Sequence, residues 1–306
     1  MARPAPSAVR TVACVGGGTI GSGWAAFFLS RGLEVVMSDP GPGAESRARA
    51  VIDAAWPSLV ELGLAPGADR SRFRFVGSIA EAVTGADFVQ ESAPEREDLK
   101  IEIFAEMDQH AGADVILSSS SSAFLPSHLQ SKCKHPERVV IGHPFAPSYL
   151  MPLVEVVGGE ATAREALDWS CAFYDGLGKR AVLLKKEIEG YIANRFQMVV
   201  SEEATRLVEA GICTWEDVDL SITEGPGLRW PFFGPLGTNH LAGGQGGLRH
   251  SIDMWGWGGT DASRDEALAS IDERFGHVPM ADLERWRDDN LVRLLKGRRP
   301  VPSKPK

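Results

Sequence analysis

Cysteine is sparse in this chain of 306 residues: Cys14, Cys133, Cys171 and Cys213 are scattered, with no CxxC pair and no metal-ligand spacing. That argues against a disulfide framework or a cysteine-built metal site and reads as free thiols in a reducing compartment. Long apolar runs are absent too. None approaches the ~18 residues of a membrane-spanning helix, and the opening "MARPAPSAVR" has no apolar stretch of the signal-peptide kind. A cytoplasmic protein with no membrane partner is expected. Positive charge is outnumbered, with 32 Lys and Arg against 41 Asp and Glu and a net charge of −9. That leaves no basic footprint for nucleic acid, although an anionic ligand stays open because binding charge is local. The basic, Pro-rich end "KGRRPVPSKPK" reads as a solvated tail.

What the chain does contain is a change of pattern. Its length allows a large core and two domains. From Thr11 to about Leu184, helical segments alternate with "TVACVGG", "EVVMSDP", "FRFVGS", "ADFVQES", "DVILSSS", "RVVIGHP" and "LVEVVGG". These runs are mostly continuous in Val, Ile and Phe, as strands buried on both faces are. Alternation with helices predicts an α/β fold with a doubly wound parallel sheet. After "KRAVLLKKEIEG" no strand is convincing, so a boundary is placed near residue 187, with 1–187 as one domain and 188–306 as an all-α second domain. "GYIANRFQMVVSEEATRLVEAG" (Gly190–Gly211) has helical periodicity and a glycine stop. Ile192, Phe196, Val199, Val200 and Leu207 share one face, expected to pack. Asn194, Met198, Ser201 and Thr205 share the other, expected to line a cleft or an interface. Thr214 reads as the N-cap of a further helix in "TWEDVDLSITEG".

The first run leads into Gly16-x-Gly18-x-x-Gly21 at the head of an apolar helix. Alone the pattern is weak. After a strand and before a helix it is a dinucleotide signature, because glycines allow a tight turn, close approach of backbone to pyrophosphate and close helix–strand packing. The helix start then presents N–H groups to phosphate. A Rossmann-type domain follows from this context. Asp39 ends the second run 18 residues past Gly21, where a carboxylate binds the adenosine ribose hydroxyls and repels a 2′-phosphate. NAD is therefore favoured, while Arg47 and Arg49 keep NADP open.

Dehydrogenating an alcohol needs a base for the hydroxyl proton and donors for the oxygen as it becomes a carbonyl. "VVIGHPFAPSYLMPLVEVVGG" supplies His143 just past a strand end and Glu155 on the next run. A histidine suits reversible proton transfer, and a carboxylate partner orients its ring. Either residue alone has an ordinary structural reading.

The segments "VGGGTIGSGWA", "QESAPEREDLKIEIF", "SSSSSAFLPS", "GHPFAPSYLMPLVEVVGG", "GYIANRFQ" and "GPGLRWPFFGPL" occur in order and at family-like spacings. Through them nearly the whole chain resembles the L-3-hydroxyacyl-CoA dehydrogenase superfamily. It is most similar to the branch that holds lambda-crystallin (a gulonate dehydrogenase) and bacterial carnitine dehydrogenases. The resemblance implies that His143 is the catalytic base, Glu155 its acidic partner, and Ser122 and Asn194 donors to the substrate oxygen. It places Gly16, Gly18, Thr19, Ile20, Gly21, Asp39, Glu95 and Lys100 with the cofactor, and implies a homodimer through the helical domain. No metal is implied. Two departures bear on the substrate: Ala146 stands where the family usually has Asn after "HPF", and Ser120 and Ser121 replace Asn and Thr.

Arg229, beside Trp230, suits a substrate carboxylate because its fork binds both oxygens; a surface ion pair is the plain alternative. Trp255 and Trp257 read as structural anchors or, less readily, as a lid or part of a cation–π site. The reading is an NAD-dependent dehydrogenase of a small L-3-hydroxy acid, gulonate-like or 3-hydroxybutyrate-like. The alternatives are carnitine, a CoA thioester (with Arg47, Arg49 and Lys100 near its phosphates), and a crystallin-like protein that binds NAD without turnover.

Overall fold

The computed structural model describes residues 3–298, so eight of the eleven residues of the basic tail expected to be solvated lie outside the described residues. The chain divides into two compact units, residues 1–199 and 200–306.

The first unit is built on eight strands: β1 (Thr11–Val15), β2 (Glu34–Ser38), β3 (Phe73–Val76), β4 (Phe88–Glu91), β5 (Ile116–Ser119), β6 (Val139–Pro144), β7 (Leu153–Gly158) and β8 (Arg180–Leu183). They lie in the order β3-β2-β1-β4-β5-β6-β7-β8. Interleaved are helices α1 (Thr19–Ser30), α2 (Ala44–Leu62), α3 (Ile79–Val83), α4 (Glu97–His110), α5 (Pro126–Leu129) and α6 (Arg164–Gly176). The doubly wound sheet is present, and the continuous apolar runs are explained. Val12 and Cys14 of β1 and Val35 and Met37 of β2 enter one core with Trp24, Phe28 and Phe173. Their neighbours Ala13, Val15 and Val36 enter a second with Phe104 and Met107. Alternate residues thus serve opposite faces of one buried sheet.

Two details differ from the expectation. β7 runs antiparallel to β6, because the eight residues between Pro144 and Leu153 are too few for a parallel crossover of about a dozen. The sheet also has an eighth strand, β8, inside "KRAVLLKK", which pairs in parallel with β7.

Beyond β8 all described elements are helical: α7 (Ala193–Glu209), α8 (Trp215–Thr223), α9 (Pro226–Arg229), α10 (Pro235–Ala242), α11 (Gly247–Trp255), α12 (Asp261–Phe275) and α13 (Met280–Gly297), with a single short 3-10 turn. α7 starts three residues later than Gly190, since Gly190 (φ +72°) and Tyr191 (φ +49°) turn the chain through left-handed conformations. Its apolar stripe is not packed as expected: Phe196 and Val199 are each 62% exposed, and Met198 of the other stripe 54%. Thr214 caps α8 as predicted, in a reciprocal capping box with Asp217. The cores of the second unit are small, one around Phe233, Leu241 and Leu283 and another around Leu248, Leu268 and Ile271. All four cysteines are free. No helix among the described residues is long and apolar enough to cross a membrane.

Candidate active site

The glycine turn between β1 and α1 is shaped by close approach. Gly16 has φ +100°, and a Cβ there would come within 2.6 Å of the Ser92 carbonyl carbon. A Cβ on Gly21 would lie 2.0 Å from the Gly16 carbonyl oxygen. Gly18 is the reverse, exposed and with nothing within 4 Å of such an atom. It precedes Thr19 and Ile20, the first residues of α1, whose start carries no side-chain cap. Uncapped N–H groups facing open space are what a pyrophosphate requires. Asp39, half-buried just past β2, accepts the Gly17 N–H at Oδ2 and the Gly41 N–H at Oδ1, each at 2.7 Å. Each oxygen keeps a lone pair for a ribose hydroxyl. These residues fit NAD. Arg49 is paired with Glu45 and lies over the Phe73 ring, while Arg47 donates to the Pro42 carbonyl.

His143 and Glu155 face each other in the β6–β7 ladder. The spacing seen in the sequence is therefore a cross-strand pair. His143 is 4% exposed, and its Nδ1 lies 2.9 Å from Glu155 Oε2. The other carboxylate oxygen accepts the N–H groups of Ile192 and Ala193 at 2.9 and 3.0 Å, where α7 begins. Burial pushes the Glu155 carboxyl up, but the His143 hydrogen bond and the two backbone donors outweigh it and hold it below the usual carboxylate value. An ionised Glu155 only accepts, so His143 Nδ1 is the donor of this hydrogen bond, and Nε2 is the ring nitrogen left for a substrate. Asn194 sits half-buried in the first turn of α7, one residue past the N–H of Ala193 that Glu155 holds.

The serine run is a sorted set. Ser118 and Ser119 close β5, with hydroxyls on Tyr174 and on Glu91. Ser120 accepts from Trp24 and Gln90, and Ser121 donates to Glu95. Ser122 is half-buried and gives its backbone N–H to Glu95 at 2.9 Å, while its hydroxyl has no partner among the described residues. Glu95 also accepts the N–H of Ala123, so one carboxylate gathers the whole loop. Burial would raise its pKa, but the Ser121 hydroxyl, the Lys100 charge and the two backbone donors keep it low. Lys100 is 1% exposed, and its ammonium donates to Glu91 Oε1 at 2.7 Å and the Ala93 carbonyl at 3.0 Å, with Glu95 at 3.4 Å. Its donors face the protein, which gives it the place of a scaffold beneath the loop rather than of a phosphate ligand. This Glu91–Lys100 pair escaped the sequence reading; an "E…K" nine residues apart is an ordinary surface pattern until β4 and α4 are brought together.

In the second unit, Arg229 ends α9 with no acidic partner among the described residues and borders a small cavity with Phe233, Thr238, Leu241 and Arg287. Trp255 is 65% exposed, and Trp257 donates its indole N–H to Ser263.

Residues 11–188 match the family model for the 3-hydroxyacyl-CoA dehydrogenase NAD binding domain, and residues 190–273 match that for its C-terminal domain. The chain belongs to the 3-hydroxyacyl-CoA dehydrogenase family. It is an oxidoreductase whose cofactor is NAD. Among its relatives it is 48% identical to the L-carnitine dehydrogenase of Nocardiopsis dassonvillei, over 97% of this chain and 94% of that one. With the L-carnitine dehydrogenase of Pseudomonas aeruginosa the identity is 45%, over 97% and 96%. Among solved structures it is similar to an NAD-dependent dismutase, 5-formyl-3-hydroxy-2-methylpyridine 4-carboxylic acid 5-dehydrogenase, with TM-score 0.75, 30% identity and coverage of 95% and 100%. It also resembles 3-hydroxybutyryl-CoA dehydrogenase from Escherichia coli K12, with TM-score 0.66, 29% identity and coverage of 86% and 57%.

Proposed function

We propose that this enzyme oxidises the 3-hydroxyl of L-carnitine to the ketone. The observation that carries the reaction type is the buried His143–Glu155 pair, its Nε2 without a hydrogen-bond partner among the described residues, in a family that uses NAD. The substrate rests on the near full-length likeness to L-carnitine dehydrogenases, which favours that alternative over the gulonate-like or 3-hydroxybutyrate-like acid expected from the sequence.

In this reading His143 Nε2 removes the hydroxyl proton, and Glu155 steadies the imidazolium that forms. Ser122, whose hydroxyl has no partner among the described residues, and Asn194 donate hydrogen bonds to the oxygen as it becomes a carbonyl. Bound NAD supplies the hydride acceptor. Gly16, Gly18, Thr19, Ile20, Gly21 and Asp39 hold it directly, and Glu95 and Lys100 act by shaping the Ser121–Ala123 loop. Arg229 pairs with the substrate carboxylate. The half-buried Phe145, whose ring centre is 5.3 Å from that of His143, offers an aromatic surface suited to a quaternary ammonium.

Residues 1–187 would then serve the nucleotide, and 188–306 the substrate and a homodimer contact, with the exposed apolar residues of α7 supporting the latter. A cytoplasmic place accords with the free thiols. The test is NADH formation, followed by absorbance, with L-carnitine, L-gulonate, 3-hydroxybutyrate and 3-hydroxybutyryl-CoA. L-Carnitine is expected to give the highest kcat/KM; a clear preference for any other member of the panel overturns the substrate.

A further inference from the structure

Ser92 follows β4 at its carboxyl end, and its N–H donates to the Val15 carbonyl of β1 at 2.7 Å. β1 and β4 are the neighbours at which the strand order reverses direction, and the crevice at such a switch point is where a dinucleotide crosses the sheet. Ser92 also touches the glycine turn from beneath, since Cβ atoms built on Gly16 and Gly21 would meet its carbonyl carbon and its Cβ at 2.6 and 3.2 Å.

Its hydroxyl ends a chain of hydrogen bonds whose direction can be worked out. Indole N–H groups only donate, so Trp24 Nε1 gives to Ser120 Oγ at 3.1 Å. Gln90 Nε2 gives to the same oxygen at 2.9 Å. The amide stands that way round because the Tyr174 hydroxyl donates to Gln90 Oε1 at 2.6 Å. Tyr174 in turn accepts from Ser118 at 2.9 Å, and burial raises its pKa so that it keeps its proton. With both lone pairs of Ser120 filled, its proton goes to the third neighbour, Ser92 Oγ, at 2.9 Å. Trp24, Gln90, Ser118 and Tyr174 are all fully buried, so water does not reverse the order as far as the half-buried Ser120, whose proton has Ser92 as its one acceptor among the described residues. Ser92, half-buried, is left as an acceptor from Ser120 and with an O–H that meets no acceptor among the described residues.

We infer that Ser92 is a cofactor-positioning donor, its hydroxyl proton offered by a directed Ser118–Tyr174–Gln90–Ser120 chain to an oxygen on the nicotinamide half of NAD. Asp39 and the Gly18 turn lie on the adenosine and pyrophosphate side of the switch point, which leaves the nicotinamide half for the β4 and β5 ends. Two serines, Ser92 and Ser120, thereby form one composite site there.

The test is Ser92→Ala, read by fluorescence titration of NADH, by competitive binding of ADP (which has no nicotinamide half), and by thermal melting. NADH affinity is expected to fall about 3- to 10-fold, the range of one hydrogen bond, with ADP affinity and Tm unchanged. Unaltered NADH affinity overturns the assignment. So does an equal loss for ADP, or a lowered Tm with NADH and ADP weakened together, since each of these marks a packing role. Tyr174→Phe frees Gln90 to turn its amide, and is expected to weaken NADH binding in the same direction while sparing ADP.

Discussion

In residues 1–199, Glu91, Lys100, Arg138, Glu155 and Lys179 are all 2% exposed or less, and each is held by several hydrogen bonds. Beyond residue 200 the ion pairs Arg206–Glu203, Arg264–Asp261, Arg285–Asp282 and Arg298–Glu224 all lie at the surface. The first region has surface pairs too, such as Arg70–Asp53 and Arg164–Asp168, but among the described residues it alone buries charged side chains. Surface pairs add about 0–1 kcal/mol each and tolerate loss. Buried ones add little net stability, yet removing one partner strands the other, so they fix geometry instead. The proposed site, which relies on placing one imidazole and one serine hydroxyl, lies where charges are buried.

The largest effect belongs to His143. His143→Gln is expected to lower kcat by about 10²- to 10⁴-fold, the range of a general base, with nearly normal NADH binding in a fluorescence titration. Turnover preserved within a few-fold would remove His143 from the role. Next comes Lys100→Met, which leaves Glu91 buried at 0% exposure without its cation. A loss of about 3–5 kcal/mol in chemical denaturation is expected. Arg285→Ala, at a pair that is 72% and 52% exposed, should move stability by less than about 1 kcal/mol. Equal effects at the two sites would erase the contrast between buried and surface pairs.

The same contrast explains what the sequence made legible. Continuous Val/Ile runs announce a doubly covered sheet because both faces need apolar residues. Gly16 and Gly21 are readable because backbone contact admits no substitute, and Gly18 because a side chain there would stand in the open space a pyrophosphate needs. His143 and Glu155 are readable as a pair because a hairpin turns a spacing into a cross-strand contact. The spacing of Glu91 and Lys100, by contrast, carries no such rule, and only the meeting of β4 with α4 makes them neighbours. The hydroxyl order Ser118–Tyr174–Gln90–Ser120 joins residues from three elements far apart in sequence. β8 was hidden for a simpler reason: four residues flanked by lysines look like surface. The stripe on α7 was legible as apolar, but periodicity does not say what, if anything, covers it.

Within the serine run the difference between burial and exposure should separate function from support. Ser122→Ala, which removes a hydroxyl with no partner among the described residues, is expected to lower kcat by about 10-fold or more, as loss of a donor to a developing carbonyl does, with an unchanged Tm. Ser118→Ala removes a fully buried hydroxyl that donates to Tyr174. It should leave kcat within a few-fold and lower stability by about 1–3 kcal/mol. Steady-state kinetics and melting on both variants check this, and the reverse pattern would move the substrate donor to another serine.

A pH slope is expected from Lys179. Its ammonium is 2% exposed, donates to the carbonyls of Ser148 and Met151 in the β6–β7 connection, and lies over Phe27 and Trp24, at 4.1 and 4.9 Å from their ring centres. Burial, with a lesser push from the Arg31 charge, brings its pKa down from 10.5 to about 7. Below pH 7 both folded and unfolded chains carry the proton, and folding bears the full burden of burying the charge. Between about 7 and 10.5 the unfolded chain holds a proton that the folded one has shed, so this residue adds stability as pH rises, by at most about 1.4 kcal/mol per unit. Lys179→Met removes the titrating group. The stability of the native protein relative to the variant, measured by denaturation at successive pH values, should therefore climb from pH 7 upward and be flat below it. A flat difference across the whole range would mean that Lys179 keeps its proton in the fold, and that Ser148, Met151 and the two rings solvate the charge as well as water does.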